Sequence, residues 1–290
     1  MKVCGFSFVR NGVKFDYPFE EAIRSILPLC DEVIVAVGNS DDNTLERVKA
    51  IDSKVKVIET IWDETLREGG RVLASETNKA LHAIAQDFDW AFYIQGDEVI
   101  HEKYIPAIRK AMQDNMANKS VDGLLLNYLH FFGSYDYVGE KYSWYRREVR
   151  VVRPGKNIFS YKDAQGFRKP PNEKLHVKLI DAYVFHYGWV REPGALQIKE
   201  KTKIKYYKDD TWIKNYFSKT EKYEYDTKRE PIRKFTGTHP EVMRKRIESK
   251  SWDFNPDLSL KYASQKDRLK RIIGGLTGWY PGEYRNYKII

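Results

Sequence analysis

Two adjacent carboxylates follow an apolar segment in the first half of the sequence. Asp97 and Glu98 follow residues 90–95 after a single glycine, and the composition of 90–95 is typical of a buried strand. Carboxylate oxygens are the ligands that Mg²⁺ and Mn²⁺ prefer, and such an ion can neutralise charged phosphates. The pair therefore predicts a divalent-metal site. A solvated turn with Glu98 near a helix start remains the alternative.

Polar clusters also follow the other apolar segments of this half. Arg10 and Asn11 come after the first, residues 39–43 after the second and residues 62–71 after the third. Ligands of open α/β sheets bind beyond the carboxyl ends of the strands, so we expect these clusters to converge on one site. Arg71 follows two glycines and opens a long helix, a position that suits an anion contact or an ordinary surface arginine.

The elements that must position these residues alternate between strands and helices. This alternation predicts an α/β fold with a largely parallel sheet. The predicted strands are residues 2–10, 32–37, 55–60, 90–95 and 123–128, and the predicted helices are 19–29, 44–51, 72–85 and 105–115. Aromatic segments at 144–152 and 175–186 read as antiparallel strands that shape a pocket.

The chain divides into two regions of different charge. Residues 196–290 hold 23 Lys and Arg against 13 Asp and Glu, whereas residues 1–195 hold 27 against 28. We predict one domain over 1–192 and a basic, Tyr-rich helical region over 193–290. A basic tail suits the phosphates of lipids, nucleic acids or an anionic glycan. No nucleic-acid-binding motif is present, so we expect no nucleic-acid partner.

The sequence also indicates where the protein acts and how it could contact a membrane. The sequence has two cysteines, no apolar run near eighteen residues and no secretory leader pattern, so we expect a cytoplasmic protein. Near the end, basic residues flank an apolar pair and precede Trp279, a mixture that suits peripheral contact with an anionic inner membrane face. The basic residues are Lys266, Arg268, Lys270 and Arg271. A solvated basic helix is the alternative.

Three segments together resemble the GT-A fold of glycosyltransferases, closest to family 2. They are Phe-Ser-Phe-Val-Arg-Asn at 6–11, Asn-Ser-Asp-Asp-Asn-Thr at 39–44 and Tyr-Ile-Gln-Gly-Asp-Glu at 93–98. The resemblance covers about residues 1–190. It implies a Rossmann-like, mostly parallel sheet and the inverting transfer of a sugar from a nucleotide-diphosphate sugar, with Mn²⁺ or Mg²⁺ as cofactor. It also implies a glycan or lipid-linked acceptor and a place in surface polysaccharide biosynthesis.

The resemblance assigns roles to particular residues. The nucleotide and diphosphate contacts that it implies are Asn11, Asp41 and Arg71, and the metal ligands are Asp97, Glu98 and His186. The sequence departs from the family at two places. Gln95 replaces the first acid of the metal motif, and Val37 and Gly38 stand where two acids often occur. For His186, a hydrogen-bonded core histidine is the alternative reading.

An acceptor hydroxyl needs a carboxylate to remove its proton, and several acids follow the metal motif. Asp163 lies beside a glycine turn and aromatic residues where the family places such an acid, so it is our first candidate. Glu148, Glu140 and Glu173 come next. The alternative for Asp163 is a loop ion pair with Lys162 or Arg168.

Other functions fit parts of the pattern. A nucleotidyltransferase shares the α/β layout and acidic ligands, but it should carry a glycine-rich basic loop after strand one, and Arg10-Asn11-Gly12 is a slight match. A basic nucleic-acid-binding module would use the tail. A non-catalytic binder of nucleotide sugars would explain Gln95 and Gly38.

Overall fold

The computed structural model describes residues 1–66, 68–208, 225, 231–258, 265–278 and 280–290. The strands are β1 Val3–Val9, β2 Glu32–Gly38, β3 Val55–Thr60, β4 Trp90–Tyr93, β5 Glu98–Ile100, β6 Gly123–Phe132, β7 Ser134–Gly139, β8 Arg147–Val152, β9 Phe159–Tyr161, β10 Gly166–Lys169, β11 Glu173–Trp189, β12 Ile232–Lys234 and β13 Tyr287–Ile289. The α-helices are α1 Phe19–Ile26, α2 Thr44–Lys49, α3 Arg71–His82, α4 Ile105–Asp114, α5 Pro193–Lys203, α6 Arg244–Glu248 and α7 Gln265–Thr277.

The strands form one mixed sheet in the order β3-β2-β1-β4-β8-β6-β11-β10-β9. β1 to β4 pair in parallel, and so do β6 and β11, while β8 lies antiparallel between β4 and β6. The reversed β8 keeps β6 and β11 in the same direction as β4. The predicted α/β class with a mostly parallel sheet is therefore confirmed, and the carboxyl ends of its strands share one edge.

Alternate residues of the central strands feed two cores on opposite faces of the sheet. Val33 and Val35 of β2 pack with α1 and α4 in one core, whereas Ile34 and Ala36 pack with α3 in the other. Because β2 is apolar on both faces, it reads as a continuous hydrophobic run, which is typical of a covered parallel strand. The helices on both sides thus hold the strand ends rigidly.

The C-terminal region adds strands as well as helices. β12 pairs with β7, and β13 pairs in parallel with β11. Met243 is fully buried in an aromatic core with Phe131, Phe185 and Tyr187. Residues 193–290 were predicted to be helical, so β12 and β13 correct that expectation. Both are three-residue strands completed by pairing partners distant in sequence. No helix among the described residues is long and apolar enough to cross a membrane.

Candidate functional site

A cavity of about 350 Å³ opens at the carboxyl ends of β1 and β4. It collects three residues that the sequence predicts for the site, namely Asp97, His186 and Asp163. Arg10 and Trp62 form part of its opposite wall, and Lys199 reaches it from α5. Residues at the ends of β1, β3 and β4 therefore converge as predicted, and β11 contributes as well, whereas no residue of the 39–43 cluster after β2 lines this cavity.

Asp97 and His186 face each other across a short gap. The Nε2 atom of His186 lies 3.8 Å from Oδ2 of Asp97, and the backbone N–H of Tyr187 donates to the Asp97 carbonyl at 2.8 Å. A Cβ at Gly188 would lie 2.6 Å from Nε2 of His186 and 2.8 Å from Oδ2 of Asp97. The glycine thus makes room for both functional side chains.

A second histidine fixes the orientation of His186. Nε2 of His130 lies 2.7 Å from the carbonyl oxygen of Tyr145, which can only accept, so Nε2 carries the hydrogen. Burial, and then the neighbouring His186, hold the pKa of His130 well below its usual range, so the ring is neutral. Its Nδ1 accepts from Nδ1 of His186 at 3.0 Å. A neutral His186 therefore presents the lone pair of Nε2 to Asp97.

This donor set fits a divalent metal ion. Asp97 offers carboxylate oxygens, His186 offers an imidazole nitrogen, and the hydrogen bond to His130 orients that nitrogen as ligating histidines usually require. No group of three or more His, Cys, Asp or Glu able to hold an ion occurs among the residues that the structure describes. An ion at Asp97 and His186 would thus draw its other ligands from phosphate and water oxygens.

Glu98, predicted as a metal ligand, is bound instead to Arg150 and Tyr128. Its carboxylate is fully buried, accepts from Arg150 Nε at 2.9 Å and Nη2 at 2.8 Å, and accepts from the hydroxyl of Tyr128 at 2.7 Å. The geometry is that of a structural ion pair and does not favour the ligand role. Gln95, at the substituted motif position, donates to the carbonyl of Ala164 at 3.2 Å and so joins the end of β4 to the turn between β9 and β10.

Asp163 lies in the turn between β9 and β10 and lines the cavity. Lys162 and Ala164 on either side adopt φ values of 53° and 62°, so the turn is a tight left-handed one. A Cβ at Gly70 would lie 2.8 Å from Cβ of Asp163, so glycine is needed for this approach. Asn78 exchanges hydrogen bonds with the backbone of Ser160 at 2.9 and 2.7 Å and so supports the hairpin.

The ion pairs proposed as an alternative for Asp163 do not form among the described residues. The Lys162 ammonium lies 5.7 Å from the ring centroid of Tyr284. Arg168 is buried and donates to the carbonyl of Asn286 at 2.6 Å. Asp163 is therefore placed toward the cavity without either proposed partner.

The other candidate bases do not line this cavity. Glu148 is buried, accepts from Nε2 of Gln165 at 2.7 Å, and has a pKa raised to about 8 by burial. Glu140 accepts from Arg233 at 3.2 Å and Arg271 at 3.4 Å. Glu173 is exposed at the start of β11. These positions leave Asp163 as the acid best placed for proton removal.

Of the three predicted nucleotide and diphosphate contacts, Asn11 lines a cavity and the other two do not. Asn11 adopts φ 52°, accepts from the N–H of Asp41 at 2.8 Å, and lines a second cavity of about 370 Å³. Asp41 is exposed and pairs with Lys14, whose hydrogen bond lowers the pKa of Asp41. Arg71 is exposed at the start of α3. Neither Asp41 nor Arg71 lines the two cavities, which share Arg10.

An aromatic and cationic wall joins the two cavities. Arg10 and Trp62 come from predicted polar clusters, whereas Tyr206 was not predicted. The Arg10 guanidinium carbon lies 5.3 Å from the ring centroid of Trp62. The ring centroids of Trp62 and Tyr206 lie 5.5 Å apart. A Cβ at Gly38 would lie 2.3 Å from Nε1 of Trp62. Gly38, a departure from the family pattern, thus makes space for an indole where an acid was expected.

Comparison with known proteins gives fold-level similarity only. No protein-family model and no curated protein matches the chain. Among solved structures, residues 1–349 of TarS from S. aureus are similar at TM-score 0.41 and 13% identity, over 65% of this chain and 61% of that one. Glucosyl-3-phosphoglycerate synthase from Mycobacterium tuberculosis, with Mn²⁺, UDP and phosphoglyceric acid, is similar at TM-score 0.31 and 19% identity, over 44% of this chain and 43% of that one.

A further similar structure is TarS 1–349 in complex with UDP, at TM-score 0.37 and 13% identity, over 57% of this chain and 52% of that one. The chain thus spans less than two thirds of each of these structures. TM-scores below 0.5 carry no argument about activity. The chain's own strand order defines an α/β protein with a cavity at the carboxyl edge of its sheet.

Proposed function

We propose that the protein is a glycosyltransferase that takes its sugar from a nucleotide-diphosphate sugar. The observation that carries this proposal is the cavity in which Asp97, His186 and Asp163 meet at the carboxyl edge of the sheet. Two candidate metal ligands, and an acid in the same cavity that pairs with neither Lys162 nor Arg168, suit the two halves of a transfer reaction. The donor diphosphate would lie toward Asp97 and the acceptor hydroxyl toward Asp163.

Each residue has a distinct task in this proposal. Asp97 and His186 would hold Mn²⁺ or Mg²⁺, and the bound ion would supply positive charge to the departing diphosphate. Trp62 and Arg10 would form the wall for the nucleoside, because an indole and a guanidinium both offer flat faces for stacking. Asp163 would accept the proton of the attacking hydroxyl as its oxygen bonds to the sugar carbon and the bond from that carbon to the diphosphate breaks. Attack on the face opposite the diphosphate would invert that carbon.

The proposal is tested by finding the donor. Thermal unfolding would be followed with UDP-, GDP-, CMP- and dTDP-sugars, each with Mn²⁺ and with chelator, because a ligand of the folded state raises the unfolding midpoint. We expect one base to stabilise the protein more with Mn²⁺ than with chelator. In Asp97→Asn the extra stabilisation by Mn²⁺ should vanish while the midpoint without ligand stays close to that of the wild type.

Turnover distinguishes an enzyme from a binder. The identified donor, incubated with Mn²⁺, should be slowly hydrolysed or transferred, and Asp97→Asn should reduce this rate by about 10²-fold, the scale typical for loss of one transition-state charge contact. Binding without any turnover would favour the non-catalytic binder. Stabilisation by free nucleoside triphosphates with release of pyrophosphate would favour a nucleotidyltransferase.

We further propose that the acceptor is a glycan or lipid-linked hydroxyl used in polysaccharide assembly. A second aromatic and basic cleft of about 240 Å³, lined by Trp144, Arg146 and Tyr280, adjoins the first cavity through Tyr145. Aromatic faces stack well on sugar rings, and arginine binds anionic substituents in a bidentate manner. Transfer onto isolated glycan acceptors, with the donor identified as above, would test this assignment.

A further inference from the structure

A buried lysine lies beside the carboxylate proposed to hold the metal ion. Lys199, on α5, is only 6% exposed. Its ammonium donates to the carbonyl of Gly188 at 2.7 Å and lies 3.5 Å from Oδ2 of Asp97. The same ammonium lies 5.0 Å from the ring centroid of Tyr17. Burying an ammonium is costly unless its surroundings compensate it, so this fold has built a place for a positive charge.

The position of Lys199 is inside the cavity rather than behind it. Lys199 lines the same cavity as Asp97, His186 and Asp163, and it is joined there by Thr202 of the same helix. The region after residue 192 therefore contributes directly to the site. An anion that enters beside Asp97 would meet the lysine ammonium first.

We infer that Lys199 binds the donor diphosphate and supplies a fixed positive charge to it. This inference rests on the proposed function. The 3.5 Å separation from Asp97 is long for a charge-assisted hydrogen bond, so a phosphate oxygen can replace that contact without breaking a short one. The bond to Gly188 meanwhile keeps the ammonium in place.

The charge of the metal motif supports this role. Gln95 stands where a second acid would otherwise be, and it bonds to the hydroxyl of Tyr93 and the carbonyl of Ala164. With one carboxylate of the motif turned toward the cavity, a bound ion would be held by fewer charged ligands. A lysine at the same place adds the electrostatic stabilisation that a developing diphosphate requires.

The test measures binding in the absence of metal. Inorganic pyrophosphate, which carries the diphosphate without a base, is titrated calorimetrically into the full chain in chelator. Lys199→Met should weaken binding by about tenfold to a hundredfold, the range for one charged hydrogen bond, while Lys199→Arg should retain most of it. Lys201→Met is the matched control, because Lys201 is exposed on the same helix, and it should bind as the wild type does.

A second variant should not weaken pyrophosphate binding. Asp97→Asn removes a negative charge next to the bound anion, so in chelator it should bind pyrophosphate as tightly as the wild type or more tightly. Weaker binding by this variant would overturn the inference, as would equal binding by Lys199→Met and the wild type. Wild-type protein that fails to bind pyrophosphate in chelator would overturn it too.

Failure of this inference is separable from failure of the proposed function. Donor turnover that is unchanged in Lys199→Met would leave a glycosyltransferase but remove the lysine from its site. Pyrophosphate binding that depends on Lys199, in a protein that turns over no sugar nucleotide, would keep the diphosphate site and reject the transferase. Thermal unfolding of each variant without ligand checks that the buried substitution leaves the fold intact.

Discussion

Asp97 and Glu98 are neighbouring carboxylates with different surroundings. The Asp97 side chain is 15% exposed and turns toward the cavity, while that of Glu98 is fully buried against Arg150. Asp97 lies in the turn before β5, which the bond from the Glu98 N–H to the Gln95 carbonyl closes, and Glu98 is the first residue of β5, so the two adjacent acids have different surroundings. The first is available for chemistry, and the second holds the strand on which the first depends.

Removing the carboxylate charge of Glu98 should lower the free energy of unfolding far more than removing that of Asp97. Glu98→Gln leaves the Arg150 guanidinium buried without its charge partner, and we expect a loss of about 3–5 kcal/mol in the free energy of unfolding. Urea denaturation would measure it. Asp97→Asn, one residue away, is the control and should change stability by about 1 kcal/mol or less. Comparable losses in both variants would contradict this division of roles.

Glu148 should make stability depend on pH. Burial raises its pKa from 4.5 to about 8, so the folded state keeps a proton that the unfolded chain releases. The unfolding free energy should therefore fall as pH rises through this window and level off above it. Glu148→Gln lacks this contribution, so its stability relative to the wild type should rise by up to about 1.4 kcal/mol per pH unit. Urea midpoints measured across the window would show a constant difference if the idea is wrong.

At the scale of elements, the β9–β10 hairpin delivers Asp163 to the cavity. We expect Asp163→Asn to bind donor normally but to transfer sugar about 10²-fold more slowly, because the amide cannot accept the acceptor's proton. Steady-state kinetics with the identified donor would measure this, with Glu173→Gln as control, because Glu173 is exposed and lines neither the first cavity nor the aromatic cleft. A similar loss in donor binding would instead assign Asp163 to the donor side.

Local pattern predicted the parallel half of the sheet well. The third strand was placed at residues 55–60 and is found at Val55–Thr60, and the second was placed at 32–37 and is found at Glu32–Gly38. β2 is an apolar run and β3 mixes apolar with polar residues, and both lie between turn residues, so the local sequence is enough to predict them. The helix predicted at 72–85 is Arg71–His82, which differs only at its ends.

Features created by distant pairing could not be predicted in the same way. His130 gained its role only because β6 pairs with β11 in a register that places it opposite His186. Lys199 belongs to a helix whose docking on the site depends on packing between residues far apart in sequence. β12 and β13 are three-residue strands that need partners already in place. Asp97, Asp163 and His186 were predicted from resemblance; they line one cavity, and their roles stay predictions.

At the scale of the whole molecule, the basic excess lies in the region that follows the sheet. α7 shows how this charge is arranged. Its Lys270 ammonium lies 4.6 Å from the ring centroid of Tyr142, and its Arg271 bonds to Glu140 at 3.4 Å, so one side of the helix is anchored to the protein. Lys266 and Arg268 remain exposed. Trp279, part of the predicted membrane contact, lies outside the described residues.

The outer side of α7 carries large apolar side chains, which leads to our last prediction. Leu269, Ile272 and Leu276 are 60%, 59% and 83% exposed, and their spacing of three and four residues places them on one helical face. An apolar face beside exposed lysine and arginine suits an anionic bilayer, where each basic residue contributes about 1 kcal/mol. We therefore expect the protein to sediment with vesicles containing phosphatidylglycerol and not with pure phosphatidylcholine.

Replacing the three apolar residues by serine should reduce bound protein about tenfold or more, since three buried side chains would be lost. Leu258→Ser, an exposed leucine outside α7, should leave binding unchanged. Sedimentation that is the same with both vesicle types would show that α7 is a solvated basic helix.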